Sequence, residues 1–228
     1  MIEPGIFYPS HLTGTELDVF LAMGWYRMGQ GIFTTHGIFQ QEQIFRVFWL
    51  RYNLQQLAPY KKSTKKIIDN NLHFEVTIKS LAVTEEMEAL YELYRAGVDF
   101  EPASNVKQWL YEAGNTNVFD TYTIEIRDGG ALIAVGIFDK GKKAIAGIMN
   151  FYNPLYKKYS LGKYLMLLKI KYAQEKKIKW YYPGYIVPGY PKFDYKLFVD
   201  KPGAEIFIPE ANAWQLHDQA LLNQLSRR

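Results

Sequence analysis

A short basic and aromatic stretch near the carboxyl end of the chain holds the side chains best suited to chemistry. Lys192, Tyr195 and Lys196 crowd a segment rich in glycine and proline, which is typical of a loop that cannot bury them. A lysine ammonium can bind phosphate, and lysine or tyrosine can give a proton to a leaving oxygen. We therefore predict that the three residues contact phosphate or stabilise a leaving oxygen, with a solvated basic loop as the alternative.

The start of a predicted helix is a second candidate site. An apolar run, Ala144–Tyr152, is followed by a helical pattern from Leu161 and by a second apolar run at 180–187. The turn before the helix holds Ser160 and Gly162. Free backbone N–H groups at a helix start suit a phosphate or an oxyanion, and glycine permits close approach. The alternative is an ordinary helix start capped by the serine.

Cations in the first third of the chain form two further candidates. Four lysines follow Tyr60 in a basic patch that can bind a nucleic-acid backbone or an acidic group: Lys61, Lys62, Lys65 and Lys66. Arg27 lies in an apolar, aromatic segment, where an unpaired charge is costly. It either reads an acidic group of a substrate or is paired internally. Three acidic residues are near enough in sequence to be its partners: Glu16, Asp18 and Glu42.

Asp139 and the histidines complete the polar candidates. Asp139 closes a predicted hairpin strand, where it can orient an amine, although an aspartate there is more often a turn residue. The four histidines are scattered, and none is paired at the spacing of metal ligands. The sequence therefore predicts no metal site. Because there is no cysteine, disulfides, thiolate metal sites and a cysteine nucleophile are excluded.

The composition is that of an ordinary globular protein. The 228 residues are 48% hydrophobic and 22% charged, and 16% are aromatic, including 18 tyrosines. The net charge of +4 is compatible with a polyanionic partner without requiring one. No apolar run reaches the roughly 18 residues of a membrane span, and the first residues lack the pattern of a signal peptide. We therefore predict a cytoplasmic protein without a membrane partner.

The order of the predicted elements indicates an α+β fold. Short helices are followed by an antiparallel meander around the turn Asp128-Gly129-Gly130 and then by the strand–helix–strand unit, whose strands should be parallel. This order suits the GNAT acetyltransferase fold. We predict a GNAT-like acyltransferase domain with a central mixed sheet over residues 81–228, preceded by a smaller N-terminal α+β region over residues 1–80.

With these residues in view, the sequence resembles the arginyl-tRNA–protein transferases, including their bacterial leucyl-transferring relatives. The resemblance covers most of the chain and rests on these segments: Gly24-Trp25-Tyr26-Arg27, Lys62-Ser63-x-x-Lys66, Asp128-Gly129, Phe151-Tyr152-Asn153-Pro154, Ser160-Leu161-Gly162, Tyr182-Pro183-Gly184-Tyr185 and Lys192-Phe193-Asp194-Tyr195-Lys196. Each segment alone is a weak indication of the family, whereas the order that the segments share with it is specific. The chain departs from the family in lacking a cysteine cluster, in having Pro183 where the family has leucine, and in placing Asp139 one residue late.

The resemblance implies an enzyme that moves an amino acid, arginine or leucine, from charged tRNA to the N-terminal α-amine of an acceptor protein. It further implies an acidic first residue on the acceptor, entry of the product into the N-degron pathway, and no cofactor. The catalytic residues it indicates are Tyr182, Lys192, Tyr195 and Asp139. The substrate-binding residues are Arg27, Lys62, Ser63, Lys66, Tyr152, Ser160, Leu161, Gly162, Lys163, Gly184, Tyr185 and Lys196.

Two other functions stay open at this stage. The first is an acetyltransferase-fold enzyme that uses coenzyme A or another acyl donor on an amine. The phosphate loop of such enzymes is not intact here, since only Gly162 of its glycines is present. The second is a relative that binds RNA or peptide without transferring anything, which the missing cysteine cluster keeps open.

Overall fold

The computed structural model describes residues 3–40, 42–98, 103–111 and 117–225. Its strands are β1 (Gly5–Phe7), β2 (Tyr26–Met28), β3 (Gly31–Thr34), β4 (Gly37–Gln40), β5 (Gln43–Arg46), β6 (Phe48–Asn53), β7 (Glu75–Ser80), β8 (Thr121–Asp128), β9 (Ala131–Lys140), β10 (Ala144–Tyr152), β11 (Trp180–Ile186), β12 (Ala204–Ile208) and β13 (Ala213–Leu216). Its α-helices are α1 (Gly14–Ala22), α2 (Lys62–Asn71), α3 (Glu85–Ala96), α4 (Val106–Tyr111), α5 (Leu161–Glu175) and α6 (Gln219–Leu225). Two 3-10 helices cover Pro154–Tyr159 and Pro191–Phe198.

A mixed eight-stranded sheet forms the centre of the fold, in the order β13-β12-β6-β11-β10-β9-β8-β7. The meander β8-β9-β10 is antiparallel, and β10 pairs in parallel with β11 through the crossover helix α5. The predicted α+β class, the mixed sheet and the parallel pair are therefore confirmed. Because β6 and β7 also belong to this sheet, the boundary predicted at residue 80 does not separate two sheets.

The parallel strands β10 and β11 diverge in their carboxyl halves. β10 and β11 are in register only from Ala144↔Trp180 to Ala146↔Tyr182. Directly beyond, the pairing of β10 with β9 is irregular between Gly147 and Met149. The pairing of β11 with β6 shifts between Tyr181 and Gly184. Irregularities of this kind bend a strand away from its neighbour, so they open the sheet between the carboxyl halves of β10 and β11.

Helix α5 packs on one face of the sheet and carries most of the core there. Its buried residues include Leu161, Leu165 and Ile170, each with no exposed surface, and they join the sheet residues in one apolar cluster. The predicted start of this helix at Leu161 is confirmed. Ser160 precedes it in the left-handed region at φ 54°, and its side chain makes no capping bond. The serine cap is therefore wrong, because an N-cap side chain normally needs extended backbone to reach the first turn.

The other helices cover the remaining surfaces. α3 and α4 pack on a second apolar cluster, and α1 on a third. α2 begins at Lys62 with Lys61 at its N-cap position, so Ser63 lies inside the helix and caps nothing. None of the helices in the described part of the chain is both long and apolar enough to cross a membrane.

Candidate active site

The opening between β10 and β11 leads into a cavity of about 870 Å³, the aromatic cavity. Its walls are mainly aromatic and apolar side chains from β2, β3, β6, β10, β11, α4, α5 and the second 3-10 helix. They include Tyr26, Met28, Phe33, Trp49, Trp109, Ile148, Met149, Met166, Tyr181, Tyr185 and Phe193. Three cationic residues also line it, Arg27, Lys169 and Lys196. The cavity can therefore enclose an apolar group of several carbon atoms.

A second cavity of about 470 Å³, the basic cavity, lies at the start of α5. Lys157, Lys163 and Lys192 line it together with Ser160 and Gly162. The rings of Tyr94 and Tyr152, which are 5.8 Å apart between centroids, complete its walls. Lysines beside a helix N-terminus suit an anionic group such as phosphate.

The two cavities adjoin, because four residues line both of them: Asn150, Phe193, Tyr195 and Lys196. Of the predicted site residues, the structure brings the following together around this junction: Arg27, Tyr152, Ser160, Gly162, Lys163, Gly184, Tyr185, Lys192, Tyr195 and Lys196. A molecule with a polar, anionic end and an apolar end can therefore occupy both cavities at once.

Glycines at two points let the chain approach the junction. Gly184 has φ +99°, a backbone angle that residues other than glycine rarely adopt. A Cβ there would lie 3.6 Å from Lys196 Cε. A Cβ on Gly162 would lie 3.5 Å from the Tyr152 ring, inside the basic cavity. The backbone conformation therefore requires glycine at position 184, whereas at position 162 a Cβ would make an ordinary contact with the Tyr152 ring.

Lys196 is buried at the junction in an aromatic surrounding. Its Nζ donates to the Tyr185 carbonyl oxygen at 2.9 Å and lies 4.5 Å from the Phe193 ring centroid and 5.1 Å from that of Tyr195. Desolvation lowers the pKa of Lys196 to about 7, against the opposing charge of Asp194. This amine can therefore both accept and give a proton near neutral pH.

Lys169 is a second buried lysine, which the sequence analysis missed. Its Nζ donates to the carbonyl oxygens of Ile137 (2.8 Å) and Met149 (3.2 Å) and to Asn150 Oδ1 (2.8 Å). Desolvation lowers its pKa to about 7, although the charge of Asp139 acts in the other direction. Its place on the inward stripe of α5, four residues after Leu165, was the available signal.

Arg27 is paired inside the protein, with Asp139 at 2.9 Å, and both side chains are almost fully buried. Its guanidinium makes five hydrogen bonds, to Gly29 O, Thr121 Oγ1, Asp139 Oδ1, Leu110 O and Asn117 Oδ1. No N–H group is left over for a substrate carboxylate. The arrangement therefore disfavours the prediction that Arg27 reads an acidic group, and the partner is none of the three acids nearby in sequence.

Asp139 and Tyr182, two predicted catalytic residues, line neither cavity. Asp139 is fully buried and binds Arg27 and Thr121. Tyr182 packs between Tyr26 and Trp214, with ring centroids 6.1 and 5.6 Å away. Burial raises its pKa to about 12. Contact of either side chain with a substrate in these cavities is disfavoured, and Tyr181, the residue beside Tyr182, faces the aromatic cavity instead.

Four predicted binding residues also lie outside the cavities. Leu161 is fully buried in the core, while its neighbours on both sides line the basic cavity. Lys62, Ser63 and Lys66 are exposed on α2. Contact of this helix with a substrate therefore requires a large molecule that extends beyond both cavities.

Within the described part of the chain, no three histidine, aspartate or glutamate side chains are grouped so that they could hold a metal ion. Lysine ammonium groups are the dominant charges of the site.

The chain is similar to known proteins in sequence and in fold. A sequence model described as "Arginine-tRNA-protein transferase, C terminus" matches residues 86–200. The chain therefore belongs to the arginine-tRNA-protein transferase family and is an enzyme of the aminoacyl-tRNA–protein transferase class. This match confirms the resemblance that the sequence segments indicated. The matched range includes all the described lining residues of both cavities, apart from those at 26–49, which come from β2, β3, β6 and the turn after β2.

Relatives extend the match toward the N-terminus. The chain is 24% identical over 212 residues to the aspartate/glutamate leucyltransferase of Leptospira interrogans, covering 91% of this chain and 80% of the relative. It is 28% identical over 170 residues to the protein of that name from Saccharophagus degradans, covering 72% and 69%. Among solved structures, FemX superposes with a TM-score of 0.50 at 10% identity, over 93% of this chain and 71% of FemX. That likeness concerns the fold alone.

Proposed function

We propose that this enzyme transfers leucine from leucyl-tRNA to the α-amine of acceptors that begin with aspartate or glutamate. The relatives from Leptospira interrogans and Saccharophagus degradans carry the name aspartate/glutamate leucyltransferase, which supports both halves of the proposal. The observation that carries it is the charge of the aromatic cavity. Among the described residues that line it, three are cationic and none is a carboxylate.

The absence of a carboxylate from the described lining favours leucine over arginine as the transferred residue. An arginyl guanidinium entering this cavity would lose its hydration without meeting a carboxylate among the described lining residues, and burying an unpaired charge is costly. A leucyl side chain carries no charge whose hydration would be lost, and complete burial stabilises it by about 1.5–3 kcal/mol. The aromatic and methionine side chains of the walls suit it.

The same positive field favours an acidic acceptor residue. A carboxylate on the first residue of the acceptor is attracted by the lysines at the junction, whereas a lysine or arginine there is repelled. Because Arg27 is saturated internally, we assign this preference to the lysines of the basic cavity, Lys157, Lys163 and Lys192, and not to a dedicated arginine.

The 3′ end of the tRNA fits the basic cavity. Its phosphates are matched by Lys157, Lys163 and Lys192, and the start of α5 adds backbone donors. With the terminal ribose there and the leucyl side chain in the aromatic cavity, the ester between them lies at the junction. The exposed lysines of α2 are then available to a more distant part of the tRNA backbone.

The chemistry at the junction is aminolysis. The acceptor amine attacks the ester carbonyl carbon, a C–N bond forms, the bond to the ribose oxygen breaks, and the surplus amine proton ends on that oxygen. An α-amine has a pKa of about 7.7–8.0, so a weak base is enough. Neutral Lys196 accepts the proton and returns it to the ribose oxygen, and Tyr195, which also lines both cavities, is the second candidate donor. Orientation of the reactants supplies most of the rate.

A donor-and-acceptor assay tests the proposal. Purified protein is incubated with leucyl-tRNA or arginyl-tRNA and with four peptides that differ only in their first residue, Asp, Glu, Lys or Arg. We expect a mass gain of one leucyl residue on the Asp and Glu peptides, at least tenfold faster than any other combination. Preferred addition of arginine, or equal labelling of the Lys peptide, would contradict the proposal.

The same assay separates the two other functions considered. An arm with acetyl-coenzyme A in place of charged tRNA is expected to give no product, because the phosphate loop of coenzyme A enzymes is incomplete here. Binding of charged tRNA without any transfer would indicate a non-catalytic relative.

Because charged tRNA is a cytoplasmic substrate, we also propose that the protein acts in the cytoplasm, where the added residue marks acceptors for the N-degron pathway.

A further inference from the structure

The side-chain amide of Asn150 lies at the junction of the two cavities, and its orientation is fixed by chemistry. Lys169 Nζ lies 2.8 Å from Asn150 Oδ1. The Gly162 carbonyl oxygen, which can only accept a hydrogen bond, lies 3.4 Å from the other amide atom, so that atom is the nitrogen and the atom facing Lys169 is the oxygen. The amide nitrogen is therefore turned away from Lys169. Its one acceptor among the described residues is the Gly162 carbonyl oxygen at 3.4 Å, which is a long bond.

Lys169 itself is rigidly held. It is 1% exposed, and its three hydrogen bonds reach Ile137 on β9 and Met149 and Asn150 on β10, beside the irregular pairing of the two strands. Its stem passes over Gly136, where a Cβ would lie 3.3 Å from Lys169 Cε and 3.2 Å from Asn150 Oδ1. A residue larger than glycine there would push both side chains aside. The lysine, the glycine and the irregular strand thus hold the amide in one position.

One N–H of the Asn150 amide donates to the Gly162 carbonyl oxygen. For the second N–H, the described residues offer no acceptor. Both cavities include Asn150 in their walls, so this N–H lies where the two cavities meet. Under the proposed aminoacyl transfer, the ester carbonyl occupies the same place. Preorganised donors aimed at a developing oxyanion are among the largest contributions to catalysis of acyl transfer.

We propose that Asn150 is a catalytic residue whose Nδ2 donates a hydrogen bond to the ester carbonyl oxygen, and that Lys169 is the positioning residue that holds the amide for it. When the amine attacks, the π electrons of the carbonyl move to its oxygen, which then accepts this hydrogen bond. Collapse of the intermediate restores the carbonyl and expels the ribose oxygen, which takes the proton. This assignment rests on the proposed aminoacyl transfer.

Asn150→Ala tests the catalytic role. Loss of one oxyanion donor should lower kcat for leucyl transfer by about 100- to 1,000-fold and change KM for leucyl-tRNA less than threefold. Asn150→Asp should be equally poor, because it keeps the bond to Lys169 and lacks the N–H. Asn223→Asp, the same exchange on the exposed face of α6 outside both cavities, is the matched control and should match the wild type. A wild-type kcat in Asn150→Ala would overturn the assignment.

A double-mutant cycle tests the positioning role separately from any effect on folding. Lys169→Met should lower kcat at least tenfold in the wild type but less than threefold in the Asn150→Ala background, because it acts through that amide. Equal effects in both backgrounds would leave Lys169 a purely structural residue and overturn its assignment. If Lys169→Met does not fold, Lys169→Leu, which also removes the amine, replaces it in the cycle. A wild type that transfers no amino acid would overturn the proposed function, and this assignment with it.

Discussion

Lys196→Met is expected to lower kcat for leucyl transfer by about 100- to 10,000-fold, the range typical of losing a general acid or base. Methionine keeps the apolar volume among the rings of Phe193, Tyr185 and Tyr195 but removes the amine. Lys196→Arg separates two explanations, because arginine keeps a positive charge and cannot act as a base near neutral pH. We expect Lys196→Arg to be as inactive as Lys196→Met.

The control for this pair is Lys171→Met, which removes a lysine from the exposed side of α5. It should keep the wild-type kcat. Substantial activity in Lys196→Arg but not in Lys196→Met would show that Lys196 acts only through its charge, and would contradict the proton-transfer role.

The pH dependence provides an independent check of Lys196. Its pKa is lowered to about 7, so the amine is charged below pH 7 and neutral above it. A base acts only when neutral, and kcat should therefore rise with pH through about 7. Lys169 titrates in the same range, so the assignment depends on comparing variants. The rise that Lys196 causes should be absent from Lys196→Met, in which only Lys169 and the acceptor amine, at about 7.7–8.0, still titrate.

Arg27→Met is expected to destabilise the protein by about 3–5 kcal/mol, because it leaves the carboxylate of Asp139 buried without its counter-charge. Urea denaturation measures this loss directly. The ratio of kcat/KM for Asp-starting over Lys-starting peptides should stay within twofold of the wild type, since all five N–H groups of Arg27 bind protein acceptors.

The control is the double variant Arg27→Met, Asp139→Leu, which replaces both charges with apolar groups. It should recover most of the lost stability, since removing a buried pair is far less costly than removing one partner. A selective loss of activity on the Asp-starting peptide in a stable Arg27→Met protein would instead restore Arg27 as the reader of acidic acceptors.

The elements of the fold could be predicted from local patterns, and the long-range pairings could not. Helix α5 and the meander follow from apolar spacing and turn residues, which are properties of contiguous sequence. The partner of Arg27 lies 112 residues away in Asp139, beyond the reach of any local pattern. The same holds for β6 of the first 80 residues, which pairs with β11 inside the central sheet.

The site was only partly predictable for related reasons. The basic loop and the start of α5 were identified because their residue types are conspicuous. Which of Tyr181 and Tyr182 faces the cavity depends on strand register, and Pro183-Gly184 marks an irregular point in the strand without fixing how the register shifts there. Lys169 is not among the predicted site residues because lysine is seldom buried, although its spacing from Leu165 places it on the inward face of the helix.

The claim on which the rest depends is that the aminoacyl ester lies where the two cavities meet. A crystal structure with a non-hydrolysable analogue, adenosine carrying a 3′-amide-linked leucine, tests it most directly. We predict the leucyl side chain in the aromatic cavity, the adenosine in the basic cavity beside Gly162, and the amide carbonyl oxygen within about 3 Å of Asn150 Nδ2. An adenosine in the aromatic cavity, or an analogue bound away from Asn150 and Lys196, would contradict the account.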